Sequence, residues 1–452
     1  MNITSNLIWL LPELKEEVKF FKNTDGLEIV HRHIQSDEFA DEITINGKTY
    51  SFAFEHAYSG DIEKKRYLKR YAKLALYRAM SDYLGEKLPW GALTGIRPVK
   101  FAYSEGENWR KEMNEVFDVS EQKLDLVARI MKAQSGIYEI KEGNCDLFIG
   151  IPFCPSRCLY CSFMSSEIGK SKNTEEYVTA LVKEIENAKP FYGNLRSVYI
   201  GGGTPISLPI SQLKRILEAI GEVKCEFTVE AGRPDCIDGE VLELLKDYNV
   251  TRVCVNPQTF NDSTLRIIGR KHTAADIIEK YELVKKYGFD VNMDLIAGLP
   301  DESFEDFKYS VDKAVELSPD NITVHTLSLK KGSVLKERVE RLPDGEIEKM
   351  IDYSAYKLIN SGFNPYYMYR QKYMAGNLEN TGYAKSGKEC IYNIDVMEEI
   401  ADNLACGANA VSKKLFSGGE RIERYGAPKD IPTFVAKIDK IISEKNELFL
   451  SK

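Results

Sequence analysis

Ile151-Pro-Phe-Cys154-Pro-Ser-Arg-Cys158-Leu-Tyr-Cys161-Ser-Phe163 follows directly on the short apolar run Asp146-Leu-Phe-Ile-Gly150. Three thiols in a CxxxCxxC spacing just after a β-rich run can wrap one iron–sulfur cluster on a loop, because thiolates are soft ligands that suit iron. A four-iron cluster takes four ligands, so three cysteines leave one iron open to a small chelating molecule. The alternative is structural zinc, which prefers four protein ligands, usually in paired CxxC arrangements. Cys145 is the candidate fourth ligand, and it falls before the strand, at its opposite end. The spacing alone leaves both readings open.

Outward from this loop, apolar β-rich runs alternate with amphipathic helical stretches. The strands are DLFIGIP from Asp146, SVYIGG from Ser197, EFTVEAG from Glu226, RVCVNPQ from Arg252, VNMDLIAGLP from Val291 and NITVHTLS from Asn321. Between them the pattern predicts helices over Glu175–Ala188, Gln212–Ile220, Gly239–Lys246, Ala274–Tyr287 and Phe304–Leu317. Ser303 with Asp306 forms a capping-box signature for the last helix, and Ile277, Tyr281 and Val284 recur at helical spacing. Six strands alternating with helices imply parallel β/α units joined by right-handed crossovers. Six rather than eight predicts an α/β fold built as a partial (β/α)6, TIM-like barrel, open on one side. A doubly wound sheet is the alternative, since strand order is not written in the sequence.

Polar and glycine residues collect where these strands end. The second closes on Gly201-Gly202-Gly203-Thr204-Pro205, whose bare backbone lets a ligand approach closely. Glu230 closes the third, Gln258 the fourth and Asp294 the fifth, while His325 comes late in the sixth. Strand C-termini form the active face of a β/α barrel. Singly, each acid could cap the next helix and the histidine could be a core residue. Their recurrence at one end, beside the cysteine loop, points to a site.

The flanks read differently. Residues 1–140 form an N-terminal α+β region, with Ile43, Ile45, Tyr50, Phe52 and Phe54 in alternating runs around an Asn46-Gly47 hairpin signal. Helical patterns over Tyr67–Leu84 and Glu121–Gln134 follow, separated by the turn-like PWGALTGIRPVK (Pro89–Lys100). The β/α layer spans 141–343. Residues 344–452 read as a small, mainly helical C-terminal domain or lid, with a Tyr-rich NPYYMYRQKYMAGNLEN (Asn364–Asn380) and a Gly-containing LACGANAVSKK.

Composition narrows the function class. A net charge of −8 argues against a large nucleic-acid surface, which needs a clustered basic footprint. No stretch reaches the roughly 18 apolar residues of a membrane span, and the N-terminus lacks the basic start of a signal peptide. A cytoplasmic protein with reduced thiols is expected. Nine cysteines, an odd number, fit a disulfide framework poorly.

At this point the motifs match a known pattern. CxxxCxxC after a first strand and GGGTP after a second resemble the radical S-adenosylmethionine (SAM) superfamily. IPFC, GGGTP, NPQTFND, GRKH and NMDLIAGLP together resemble its oxygen-independent coproporphyrinogen III oxidase group, over about 146–329 most strongly. LPWGALTGIRP resembles the N-terminal extension of one branch. The resemblance implies that Cys154, Cys158 and Cys161 bind a 4Fe-4S cluster whose open iron takes the amino and carboxylate groups of SAM. It implies that Gly202, Gly203, Thr204, Glu230, Gln258, Arg270 and Asp294 contact SAM, with His325 near another contact.

The implied reaction is oxidative decarboxylation of two propionates of coproporphyrinogen III to vinyls in heme biosynthesis, fed by a reduced flavodoxin- or ferredoxin-like donor. Family relatives that act as heme chaperones or as heme-opening radical methyltransferases give the alternative implication. Four substrate carboxylates call for cations, for which Arg270, Lys271, Arg370 and Lys372 are candidates. Two positions depart from the pattern. Phe148 stands where many relatives place a tyrosine on the SAM carboxylate, and Phe163 stands where some carry a fourth cysteine.

Overall fold

The computed structural model describes residues 1–35, 39–95, 97–161, 166–171, 173–328, 333–335, 346–371, 374 and 378–451. The chain forms two compact units. The first is Met1–Ala128 with Gly376–Leu378, and the second is Arg129–Ala375 with Glu379–Lys452.

The first unit carries a four-stranded sheet: β1 (Asn2–Ser5), β2 (Glu28–Gln35), β3 (Phe39–Ile45) and β4 (Lys48–Phe54), in that order. The Asn46-Gly47 turn joins β3 to β4 with both residues at positive φ, 46° and 87°. That is the backbone a two-residue hairpin needs, and Asn-Gly is the dipeptide that tolerates it. Alternate residues of β3 are buried, and the long helix Gly60–Leu84 buries Tyr71, Leu74, Leu76 and Met80. This unit is α+β, as its sequence pattern predicts.

The second unit is built on one sheet. Its first six long strands are β5 (Asn144–Ile151), β8 (Asn194–Gly202), β9 (Glu226–Val229), β10 (Arg252–Cys254), β11 (Asp290–Ala297) and β12 (Asn321–Thr326). Two-residue strands β6 (Phe153–Cys154) and β7 (Ser166–Glu167) pair beside the cysteine loop. The six long strands lie side by side in chain order, every pair parallel. A doubly wound sheet reverses its strand order at a switch point. None occurs here, so the winding is that of a barrel.

Helices Thr174–Ala188, Ile210–Ile220, Gly239–Asp247, Ala274–Lys286 and Phe304–Leu317 fall within a residue or two of the predicted spans. The Ser303–Asp306 capping box is formed in both directions, at 3.3 and 3.0 Å. Ile277, Tyr281 and Val284 are buried. Among described residues no helix is long and apolar enough to cross a membrane.

The tail departs from expectation. The described residues of 346–371 and 379–451 are mixed rather than mainly helical, and they belong to the same compact unit as the barrel. They supply β13 (Asn364–Tyr369), β14 (Asn380–Ala384), β15 (Asp402–Cys406), β16 (Val411–Phe416) and β17 (Arg421–Gly426). β15 adds in parallel to the free edge of β5, and β14 adds antiparallel to β12. Both exposed edges of the six-stranded core are thereby covered, which removes unpaired backbone groups. β13, β14 and β15 are buried along most of their length. Strands covered on both faces show no period-two alternation, so the usual signal was absent.

Candidate functional site

The glycine run after β8 shapes the floor of the site. The Gly203 and Thr204 amides donate to the carbonyls of Ile151 and Phe153, each at 2.7 Å. A Cβ at Gly203 would sit 2.4 Å from the Phe153 carbonyl oxygen, so only glycine lets this backbone reach the cysteine loop. The Thr204 hydroxyl in turn donates to Cys154 Sγ at 3.7 Å. The GGGT segment and the thiol loop are one construction, as their neighbouring places at the strand ends suggest.

Two buried arginines hold the loop from its other side. Arg233, which follows β9, donates from Nη1 to Ser156 Oγ at 3.1 Å and lies 3.9 Å from Cys158 Sγ. Its Nε and Nη2 make a two-bond pair with Asp235, both at 2.8 Å. Arg270 donates to the carbonyls of Gly232 and Asn256 at 3.0 and 2.7 Å and to the Tyr160 hydroxyl at 3.3 Å. The Leu159 amide is also tied to the Ile268 carbonyl, at 3.0 Å. Sequence reasoning singled out Arg270 and missed Arg233; three residues beyond Glu230 in EAGRPD, it carries no spacing signal of its own.

Cys154, Cys158, Cys161 and Cys145 form no disulfide. Cys145 lies at the far end of β5, buried, with burial pushing its thiol well above the ordinary range. At about 3.3 Å per residue along a strand, it is too far from the loop to complete a zinc site. The zinc reading loses its fourth ligand.

Across the strand ends sit the acids. Glu230 accepts from the Tyr199 hydroxyl at 2.6 Å and from the Gly202 amide at 3.2 Å. Burial dominates nevertheless and pushes its carboxyl up to about 7. Asp294 behaves oppositely. Burial works to raise it, but the His325 ring, with Nε2 3.7 Å from Oδ2, and Asn292, bonded at 2.9 Å, hold it below the ordinary value. His325 also meets the Tyr369 hydroxyl at 3.3 Å. Gln258 is held at φ 68°, a left-handed conformation unusual for a non-glycine residue. Its amide donates to the Asp294 carbonyl at 2.8 Å, and its own carbonyl accepts from Ile296 at 3.0 Å. Backbone strain of this kind concentrates at working sites.

Phe148 stacks near Tyr199 and Tyr392, ring centroids 6.3 and 6.1 Å away, while Tyr199 and Tyr392 stack at 4.5 Å. This aromatic face was not legible, because Tyr392 comes from the tail helix Ile391–Glu398. Arg270 and Arg370 are buried and Lys271 is exposed. Lys372 and Phe163 lie outside the described residues.

With this geometry in place the comparisons with known proteins are specific. The family model for the radical SAM superfamily matches residues 148–314, from β5 to the helix before β12. An oxygen-independent coproporphyrinogen-III oxidase-like protein, HemZ, of Bacillus subtilis strain 168 is 32% identical over 443 residues, covering 91% of this chain and 88% of that one. The chain belongs to this radical SAM family. Its members use a 4Fe-4S cluster and SAM. The heme chaperone HemW of the same organism is 32% identical over 304 residues, covering 64% of this chain and 76% of that protein. Among solved structures, the coproporphyrinogen III oxidase HemN of Escherichia coli, described as a radical SAM enzyme, superposes with a TM-score of 0.54. It is 21% identical and covers 72% of this chain and 73% of that one, which makes it a match of fold. For a cluster of the family's kind, the donor chemistry fits: three cysteines outside any disulfide on one short loop, backed by two guanidinium groups that favour negative charge.

Proposed function

We propose that this protein catalyses oxidative decarboxylation of two propionates of coproporphyrinogen III, giving protoporphyrinogen IX, in the cytoplasm. The observation that carries the reading is the relationship over 91% of the chain to an oxidase-like protein. Cys154, Cys158 and Cys161 would hold the cluster. When bound, the cluster and SAM supply a hydrogen-abstracting radical.

The chain's own residues bind, orient and shield. Gly202 and Gly203 let this backbone pack against Ile151 and Phe153 at the cysteine loop, and Thr204 steadies Cys154 from beside it. Glu230 offers a carboxylate that accepts hydrogen bonds from hydroxyl or amine groups once its proton is displaced. Asp294, held ionised beside His325, offers a second acceptor, and Gln258 is fixed next to it by two backbone hydrogen bonds. Arg270 braces the Cys158–Cys161 turn through Tyr160 and would contact SAM from there. The Phe148–Tyr199–Tyr392 face provides a flat apolar wall against which pyrrole rings can lie. Exposed Lys271 is available to a substrate carboxylate. A reduced flavodoxin or ferredoxin-like protein supplies the electron.

A second reading, heme binding and delivery, is favoured by the relationship to heme chaperones over 64% of the chain. Anaerobic turnover of the reconstituted protein with SAM, a reductant and coproporphyrinogen III separates the two by mass spectrometry. Two successive losses of carbon dioxide support the oxidase. An unchanged porphyrinogen mass, with tight stoichiometric heme binding, supports the chaperone.

A further inference from the structure

Arg233 stands out among the buried charges that the proposed chemistry does not use. It is 3% exposed, its Nη1 lies 3.9 Å from Cys158 Sγ, and the same nitrogen bonds Ser156 within the cysteine loop. Its remaining donors face Asp235, whose Oδ1 also stands 3.5 Å from His272 Nδ1. The neighbouring Arg270 is also buried, and it donates to two carbonyls and a phenol. Two guanidinium charges thus stand on the Cys158 side of the loop, and the Asp235 carboxylate pairs with Arg233. In a water-poor interior such an excess acts strongly on any charge nearby.

We infer that Arg233 is a positioning residue for the cluster that also raises its reduction potential, with Asp235 as the counterweight that limits the effect. This rests on the reading that Cys158 binds the cluster. The physical reason is direct. Adding one electron makes the cluster more negative by one charge, and an N–H donor and positive charge beside a ligating sulfur stabilise that reduced form. Asp235 neutralises part of the guanidinium, so removing its charge strengthens the pull. A residue that merely props the loop would have no reason to move the potential in opposite directions with these two substitutions.

The experiment uses the full chain, reconstituted anaerobically with iron and sulfide, as wild type, Arg233→Gln, Arg233→Lys and Asp235→Asn. Iron and sulfide content and the brown cluster absorption report assembly. A dithionite titration followed by electron paramagnetic resonance reports the midpoint potential. The expected result is a lower potential in Arg233→Gln, a smaller drop in Arg233→Lys and a higher potential in Asp235→Asn. Should Arg233→Gln not assemble, Arg233→Lys and Asp235→Asn carry the test by shifting in opposite directions. Unchanged potentials, or the same direction of shift in both, overturn the inference. A wild-type protein that loads no cluster overturns the cluster assignment itself, and the inference with it.

Discussion

The Tyr199 hydroxyl donates to Glu230 Oε1 at 2.6 Å, bridging the β8 and β9 strand ends, yet Glu230 still titrates at about 7. Burial outweighs both the phenol and the Gly202 amide, which favour the ionised form. The ordinary value is 4.5. Between about 4.5 and 7 the folded protein therefore binds a proton that the unfolded chain has lost, and this group's contribution to stability falls as pH rises.

The same proton governs ligand binding if Glu230 accepts hydrogen bonds from SAM. Affinity of the protein for SAM should rise as pH increases through about 7, by roughly tenfold per unit well below it if ionisation is required. Glu230→Gln should abolish that slope. Tyr199→Phe should move the transition to higher pH, because a hydrogen bond to the carboxylate is lost. Calorimetric SAM titrations across pH check all three.

Gly203 leaves no room for a side chain. Gly203→Ala drives a methyl group to 2.4 Å from the Phe153 carbonyl and 2.9 Å from that of Ile151. The expected cost is about 1–3 kcal/mol, together with loss of cluster loading, since Phe153 and Cys154 are neighbours. Gly169→Ala, where a Cβ meets nothing within 4 Å, is the matched control. Thermal melts and iron content read the pair.

Phe148→Tyr is expected to tighten SAM binding by about 1 kcal/mol, the worth of one added hydrogen bond. The ring already lies on the aromatic face beside Tyr199, so the hydroxyl is an addition to a formed surface. An unchanged SAM dissociation constant would place Phe148 away from the ligand.

Lys445, on the final helix Ile438–Leu450, donates to Glu184 Oε1 at 2.9 Å and to the Ala405 carbonyl at 2.8 Å, all buried. Lys445→Met leaves the Glu184 carboxylate without its charge partner, an effect of about 3–5 kcal/mol. Adding Glu184→Gln should restore part of the loss. Denaturant titrations of the single and double variants test this, and with it the binding of the tail into the barrel unit.

The six barrel strands were legible because each is a short apolar run ending in a polar or glycine residue, and the helices between them keep a 3.6-residue period. Glu230, Gln258, Asp294 and His325 could be placed at one end of the layer for the same reason. The tail was not legible. NPYYMY and DNLAC are largely buried, so nothing in their pattern separated strand from helix, and DNLAC pairs with β5, far off in sequence. Tyr392 and Arg233 escaped notice likewise, since only the folded chain sets Tyr392 against Tyr199 or Arg233 against Cys158.

The most direct test of the account is deuterium transfer. The reconstituted protein is incubated anaerobically with SAM, a reductant and coproporphyrinogen III deuterated on its propionate side chains. The account predicts 5′-deoxyadenosine carrying deuterium, together with a porphyrinogen that has lost carbon dioxide. Unlabelled 5′-deoxyadenosine with porphyrinogen of unchanged mass would contradict it.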